Sequence, residues 1–299
     1  MSDKVVEIFE KERGKLLGLA YRITGSYLEA EDIVHETFIK WFHSNNKTIA
    51  APYAWMIKVT TRLSLDYLKS ARVQRESYVG PWLPEPFVDD KALPENEYEL
   101  DQSISMALMV LLESLSVNER ASYILHDLFQ MNFEDIGELL DKSPASCRKL
   151  ASRARAKIIP SESSLQKTKE AEVKEDYRSI INAFFDAIKS GDIDNLKTTF
   201  RNDIVFHSDG GGKAAAALKV LHGRDAVSRF LMRVLKPNFK ESNDDDVNIV
   251  SQWFNGVPGV ILQINGQIVT AFQFDLYAGK INGVYALRNP DKLAVFTRH

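Results

Sequence analysis

The chain of 299 residues has one cysteine, Cys147, which excludes an internal disulfide framework and any cysteine-cluster metal site. Long apolar runs are missing too. No stretch approaches the roughly 20 apolar residues that cross a bilayer. The opening Met1-Ser2-Asp3-Lys4-Val5-Val6-Glu7 is charged where a secretory signal carries its apolar core. A cytoplasmic protein with no membrane partner is expected. Charge of one sign is also lacking: 38 basic residues face 41 acidic ones, a formal charge of −3 that gives no global attraction to nucleic acid. DNA binding would have to come from local segregation of charge. The run Gly210-Gly211-Gly212-Lys213 lacks the spacing of a phosphate-binding loop and the Ser or Thr that follows its lysine. No metal and no cofactor are expected.

What is present divides by pattern. An apolar fraction of 44% with 26% charged residues suits a globular chain, and the length suits two or three modules. Residues 4–42 and 51–75 place apolar side chains at three- and four-residue spacing, which predicts helices. Tyr78-Val79-Gly80-Pro81-Trp82-Leu83-Pro84-Glu85-Pro86 then interrupts them, with three prolines that exclude a continuous helix. The acidic Asp89, Asp90, Glu95, Glu97, Glu99 and Asp101 extend this linker. Helical periodicity resumes near Ile104, and Pro160 with Ser161-Glu162-Ser163-Ser164 marks a second boundary. Beyond it come a helix over about 172–189, a strand through Ile204-Val205-Phe206, a helix over about 225–235, and hairpin signals at Asn255-Gly256 and Asn265-Gly266. Helices first and a curled antiparallel sheet afterwards is an α+β pattern.

The sharpest motif lies between Asn132 and Ile158. Asn132 caps one helix, Asp141-Lys142 turns, and Ser143 with Pro144 starts another. In the second helix Cys147, Leu150, Ala151, Ala154 and Ile158 share one face. The outer faces carry Ser146, Arg148, Lys149, Ser152, Arg153, Arg155 and Lys157, with no acidic residue among them. A helix packed on one side and offering cationic donors on the other suits the major groove. A solvated face on an ordinary helical hairpin is the alternative, and Cys147 reads as a packing residue.

Two further faces stand out. Between Glu29 and Trp41, the residues Ala30, Ile33, Val34, Phe38 and Trp41 form an apolar stripe, with Asp32, His35, Glu36 and Ile39 opposite. Such an acidic and apolar mixture suits docking on a basic partner surface, although acidic helix faces are more often only solvated. On the helix from Pro52 to Arg75, Lys58, Arg62, Lys69 and Arg72 fall in one sector with Asp66 at its edge. Tyr53 and Trp55 follow the polar loop Ser44-Asn45-Asn46-Lys47-Thr48. Basic side chains beside aromatics and amides suit single-stranded DNA, while each aromatic alone reads as core.

In this order, the strings Leu19-Ala20-Tyr21-Arg22-Ile23-Thr24-Gly25, Glu29-Ala30-Glu31-Asp32-Ile33-Val34-His35-Glu36-Thr37-Phe38, Tyr53-Ala54-Trp55 and Arg62-Leu63-Ser64-Leu65-Asp66-Tyr67-Leu68, followed by the helix-turn-helix, resemble an extracytoplasmic-function sigma factor over about residues 5–158. The resemblance implies docking of Asp32, His35, Glu36 and Ile39 on the polymerase core. It implies −10 recognition by Asn45, Asn46, Lys47, Lys58, Arg62, Asp66, Lys69 and Arg72, and −35 recognition by Ser146, Arg148, Lys149, Ser152, Arg153 and Arg155. His35 departs from the glutamine common in the family. Tyr78 to Pro86, Asp209-Gly210-Gly211-Gly212-Lys213 and Asn289-Pro290-Asp291-Lys292-Leu293 further resemble the subgroup with a fused SnoaL-like domain. That domain is thought to regulate the sigma factor in place of a separate anti-sigma protein.

The implied architecture is multi-domain: two all-α domains, region 2 at 1–75 and region 4 at 104–160, followed by an α+β cone-shaped SnoaL-like domain at 171–299. Linkers occupy 76–103 and 161–170. Intramolecular regulatory contacts are expected from Trp82, Pro84, Asp209, Gly210, Gly211, Gly212, Lys213, Asn289, Pro290, Asp291, Lys292 and Leu293. The partners are RNA polymerase core and promoter DNA. The cone fold offers a pocket for a small ligand, with His207, Asp209, Asp275 and Tyr285 as polar groups that could face it. Catalysis is the weakest reading, since Asp before three glycines suits turn chemistry. The rivals are a helix-turn-helix regulator that works without polymerase core, and a cyclase or isomerase with a helical appendage.

Overall fold

The computed structural model describes residues 2–44, 48–75, 77–88, 104–162, 170–240 and 246–297. These divide into two compact units, one from residues 1–77 with 84–160, the other from 78–83 with 161–299. Among the described residues no helix is long and apolar enough to cross a membrane.

The first unit is helical. Helices α1 (Ser2–Thr24), α2 (Tyr27–His43) and α3 (Pro52–Arg75) pack together. Ser26 starts α2 by accepting the Glu29 N–H at 3.3 Å. Trp41, 1% exposed, locks the bundle. Its indole N–H donates to the Val5 carbonyl at 2.9 Å, and its ring lies 5.8 Å from that of Trp55. Linker residues 84–88 belong to this unit: the Tyr21 hydroxyl donates to the Glu85 carbonyl, and Phe87 packs edge-on against Tyr27.

The stretch from Ile104 onward breaks into α4 (Met106–Glu113), α5 (Val117–Tyr123), a π-helical turn (Ile124–Leu128), α6 (Phe133–Leu140) and α7 (Pro144–Glu162). The breaks follow capping chemistry. Ser105, Ser116, Asn132 and Ser143 each accept a backbone N–H three residues ahead. Ser116 and Glu119 close a full capping box. The buried Arg120, 2% exposed, pairs with Glu113 and donates through Nε to the Arg22 carbonyl at 2.8 Å, tying α5 to α1.

The second unit is a six-stranded sheet, ordered β2-β1-β6-β5-β4-β3, wrapped around helices. Its elements are α8 (Glu170–Ser190), α9 (Ile193–Thr198), β1 (Phe200–Asp209), β2 (Leu221–His222), α10 (Arg224–Lys240), β3 (Val247–Phe254), β4 (Val257–Ile264), β5 (Gln267–Tyr277), β6 (Lys280–Leu287) and the short α11 (Pro290–Leu293). Asn255-Gly256 and Asn265-Gly266 both have positive φ at both residues, the conformation that two-residue hairpin turns demand. Ala278-Gly279 adopts it as well, without the asparagine that would announce it.

Two expectations need correction. The sheet is not wholly antiparallel, because β1 pairs in parallel with β6, which returns along it after the meander. And α10 runs on to Lys240, through Pro237. Proline removes one ladder bond, but Phe239 beyond it packs on the core and lies under the Lys189 ammonium, so burial carries the helix past the break.

The cone is filled by Phe184, Phe200, Ile204, Phe206, Leu231, Phe272, Ile281 and Val284 with their neighbours. Phe184 is fully buried and touches the rings of Phe185, Phe200 and Phe274. Phe184→Ala is expected to destabilise the protein by about 3–5 kcal/mol. Denaturant unfolding followed by sheet and helix signals measures this, and a loss near zero would mean the site collapses without a cavity.

Candidate promoter-reading surfaces and the linker clamp

On α2 the burial of Ala30, Ile33, Val34, Thr37 and Trp41 turns Asp32, His35, Glu36 and Ile39 outward, and all four are exposed. Leu28 and Phe42 are exposed beside this helix face at 43% and 45%, close to the 42% of Ile39. The sequence reading missed both, although their large apolar side chains outside the buried stripe were the available signal. Glu36 pairs loosely with Lys40 at 3.2 Å.

On α3, Arg62, Asp66 and Lys69 are exposed, with Lys69 3.2 Å from Asp66. Lys58 is engaged elsewhere. Its ammonium donates to Asp135 at 2.6 Å and Glu138 at 3.3 Å on α6, and these partners hold its pKa up while Lys58 holds that of Asp135 down. Trp55 packs on Trp41, and Lys15 lies over the Tyr53 ring, so both aromatics are held by packing within the unit. Asn45, Asn46 and Lys47 lie outside the described residues, as does the Arg72 side chain.

Helix α7 buries Cys147, Ala151, Ala154 and Ile158 completely and exposes Arg148, Lys149, Ser152 and Arg153. Leu150 is only half-buried. Ser146 sits in the first turn, its N–H capped by the Ser143 hydroxyl at 3.2 Å. The Arg148 guanidinium rests over Phe133 at 5.0 Å. Arg155 forms a two-pronged bond to Asp127, at 2.6 and 3.1 Å, and is thereby committed to the turn before α6. The turn itself is tight: Asp141 takes positive φ, and a Cβ on Gly137 would collide with the Lys142 carbonyl.

The second unit holds the linker residues 78–83 on a buried carboxylate. Asp209 is fully buried and satisfied by four donors. The Tyr78 hydroxyl donates to Oδ1 at 2.6 Å, and the Gly211 N–H donates to the same oxygen at 3.0 Å. The Leu83 N–H donates to Oδ2 at 2.9 Å, and the Lys292 ammonium does so at 2.8 Å. Lys292, 8% exposed, also donates to the Leu83 carbonyl and stands 4.0 Å from the centre of the Trp82 ring. The Asn289 amide donates to the Tyr78 hydroxyl at 2.9 Å. Burial and the Asp209 carboxylate push the Tyr78 phenol upward, so it stays a donor.

The flanking motifs supply the geometry. Gly211 has φ +60°, and a Cβ there would enter the Asn289 amide. Gly212, φ +71°, passes against Val79, and Gly210 passes against the Ala214 carbonyl. Lys213 pairs with Asp291, while Asn289 caps α11, Pro290 takes its first turn and Leu293 is buried. Trp82, the glycines, Lys213 and residues 289–293 are thus brought together. Pro84 is buried in the first unit. Tyr78 and the Leu83 backbone were not singled out as contacts from the sequence, since only the structure shows which linker groups meet Asp209.

None of His207, Asp209, Asp275 and Tyr285 lines the cone cavity, contrary to expectation. Strand alternation decides this. Phe206, Ser208, Phe272, Phe274, Val284 and Ala286 face the core or cavity, so their neighbours face the opposite side. There the His207 and Tyr285 rings stack at 5.4 Å, and Asn282 donates to Asp275 at 2.7 Å. Burial lowers the His207 pKa to about 4 and raises that of Asp275 to about 6.

The Sigma-70 region 2 family matches residues 8–73, and the Sigma-70 region 4 family matches residues 105–158. The chain belongs to the extracytoplasmic-function RNA polymerase sigma factors. It is 33% identical over 295 residues to the ECF RNA polymerase sigma factor SigJ of Mycobacterium tuberculosis, covering 96% of this chain and 92% of that one. It is 28% identical to the probable ECF RNA polymerase sigma factor SigI of the same species, covering 97% and 95%. The crystal structure of M. tuberculosis SigJ superposes with a TM-score of 0.71 at 28% identity, over 97% of this chain and 98% of that one.

Two outcomes test this geometry. Asp209→Asn removes the charge that offsets buried Lys292, and is expected to cost about 3–5 kcal/mol. Unfolding of the single variants and of a double variant with Lys292→Met would show strong coupling; additive effects would contradict the pairing. The second outcome concerns pH. His207, with its pKa depressed, binds fewer protons when folded, so its contribution to stability grows as pH rises from about 4 to 6.5. Asp275, with its pKa raised, does the opposite from about 3.8 to 6. The two oppose each other. Asp275→Asn should therefore steepen the rise of stability with pH in this window, and His207→Phe should reverse it, as melting temperatures at stepped pH would show.

Proposed function

We propose that this chain directs bacterial RNA polymerase core to specific promoters, with region 2 at 1–75 and region 4 at 104–160. Its own C-terminal domain at 171–299 modulates the activity by holding linker residues 78–83. The observation that carries the regulatory part is the buried Asp209 carboxylate, half of whose donors come from the linker.

In this reading Asp32, His35, Glu36 and Ile39 dock on the polymerase, joined by Leu28 and Phe42. Arg62, Asp66, Lys69 and Arg72, with the loop Asn45-Asn46-Lys47, read the −10 element. Lys58 joins them only when Asp135 and Glu138 release it. Arg148, Lys149, Ser152 and Arg153 read the −35 element from a helix whose start is fixed at Ser146, while Arg155 orients that helix through Asp127. In this reading the C-terminal domain is regulatory. Ser208, Thr270 and Arg288 are the polar residues lining its cavity, which offers neither carboxylate nor imidazole for proton transfer. The exposed α2 face favours this account over a regulator that works without polymerase core, which needs no such surface.

In vitro transcription with core polymerase is the test. Arg153→Ala should weaken promoter use by roughly 1–3 kcal/mol if its contact to a base is bidentate, with core binding intact. Asp32→Arg should reduce core association with an unchanged circular dichroism spectrum. Asp209→Asn, and a chain ending at Pro160, should change transcription strength and not the preferred promoter sequence. Failure of the full-length and shortened chains alike to bind core polymerase at low salt would overturn the reading.

A further inference from the structure

Between α5 and α6 the helix widens into the π-helical turn Ile124–Leu128. The Phe129 N–H reaches back to the Ile124 carbonyl at 3.1 Å, and the Met131 N–H to that of Leu125 at 2.9 Å. Gln130, with φ +54°, closes the turn. Such turns are rare, and the extra residue swings the side chains that follow by about 100° relative to an unbroken helix. Here two adjacent side chains, His126 and Asp127, are brought against α6 and α7.

Asp127 grips Arg155 at 2.6 and 3.1 Å. His126 works through Phe133, the first residue of α6. The two rings stack with centroids 3.9 Å apart, and the Arg148 guanidinium stands 5.0 Å from the centre of the same Phe133 ring. The imidazole is itself fixed at one edge, where its Nδ1–H donates to the Met131 carbonyl at 2.9 Å. Arg148 and Arg155 lie two turns apart, about 10 Å along one side of α7. Neighbouring residues of one turn therefore hold α7 at two points on the same side, and this fixes its rotation about its own axis.

The two contacts differ in what they leave over. Arg155 spends its fork on a carboxylate. Arg148 is exposed and has no ion pair among the described residues, so its contact with the Phe133 ring leaves N–H donors unspent. Those donors are the ones that read a guanine edge. Contact with the ring also removes in advance the rotamer freedom that a long side chain would lose on binding. Phe133 is 9% exposed; a leucine there would fill the space yet offer no ring to a cation.

We propose that Phe133, backed by His126, is a positioning residue for −35 recognition: it holds Arg148 at the angle from which the guanidinium reads one base pair. This rests on the reading of α7 as the −35 helix.

Transcription by core polymerase with the full chain tests it, on promoters in which each −35 base pair is exchanged in turn. Arg148→Ala should cut discrimination at one base pair about fivefold or more. Phe133→Leu should cut it at that same base pair by about two- to fivefold, the scale of an exposed cation–π contact. His126→Leu should act there in the same direction, and Phe133→Tyr, which keeps the ring, should retain the preference. Because Phe133 acts through Arg148, the double variant Phe133→Leu with Arg148→Ala should discriminate no worse than Arg148→Ala alone.

Three results would overturn the proposal: Phe133→Leu discriminating as the unchanged chain does, losing promoter strength equally at every −35 position, or adding to the effect of Arg148→Ala. Equal loss everywhere is what a merely structural role predicts. A His126→Leu chain with full discrimination would strike His126 from the platform. An Arg148→Ala chain with every −35 preference intact would overturn the −35 role of Arg148, and the proposal with it. Intact discrimination in Phe133→Leu alone sinks only the proposal, so the two failures are distinguishable.

Discussion

A carboxylate removed from water must have every lone pair answered, and at Asp209 the answers come from three separate parts of the chain. The glycine turn supplies one N–H, α11 supplies an ammonium, and the linker supplies a phenol and a main-chain N–H. No two of these parts suffice. Without the linker, half the carboxylate's donors vanish, and Lys292 loses the Leu83 carbonyl and the Trp82 face as well. Buried ion pairs contribute little net stability compared with apolar packing, but they punish partial loss severely. Such a contact behaves as a latch: fully made or fully open, with intermediate states disfavoured. That property suits a segment that must be either held or released.

The glycine-rich run and the Asn-Pro-Asp-Lys-Leu string were legible as motifs because positive φ and capping leave local marks. Their purpose was not legible. Gly211 is small because the Asn289 amide, 78 residues away in sequence, occupies the space its side chain would need. The helix-turn-helix was legible almost to the residue, since Asn132, Ser143 and Pro144 each act within three positions of themselves. The parallel pairing of β1 with β6 was not, because nothing within either strand records its neighbour's direction. The assignment of His207, Asp209, Asp275 and Tyr285 to the cavity failed for want of a register. Alternation divides each strand into two faces, but only the phenylalanines filling the cone reveal which face is inside.

The basic surfaces show a similar division between what sequence reveals and what contacts decide. On α7 the absence of acidic residues suggested a row of equivalent cations, yet Arg155 is taken by Asp127 and Lys157 by Glu119. Both of these reach toward the preceding helices, and their acidic partners lie at least 28 residues back in the chain. Arg148 keeps its charge exposed while its plane rests on Phe133, which fixes a long side chain that would otherwise lose entropy on binding. Lys149, Ser152 and Arg153 remain outward. Cations fixed by carboxylates orient a recognition helix, and cations left free can contact what it reads.

Lys58 carries this reasoning one step further. It stands on α3, the helix proposed to read the −10 element, and its partners Asp135 and Glu138 stand on α6, the first helix of the helix-turn-helix. These charges are half-buried to exposed, with side-chain accessibilities of 31%, 36% and 71%, so solvent reaches and screens them and the pairs are individually weak. A weak contact is suited to being exchanged. Phosphates present a denser array of negative charge than two carboxylates, and they would compete for the same ammonium while repelling Asp135 and Glu138. If α3 reads the −10 element as proposed, promoter DNA arriving there would loosen the hold of α6 through the charge it brings. The dependence of that exchange on salt is the property that separates it from the buried latch at Asp209, which salt does not reach.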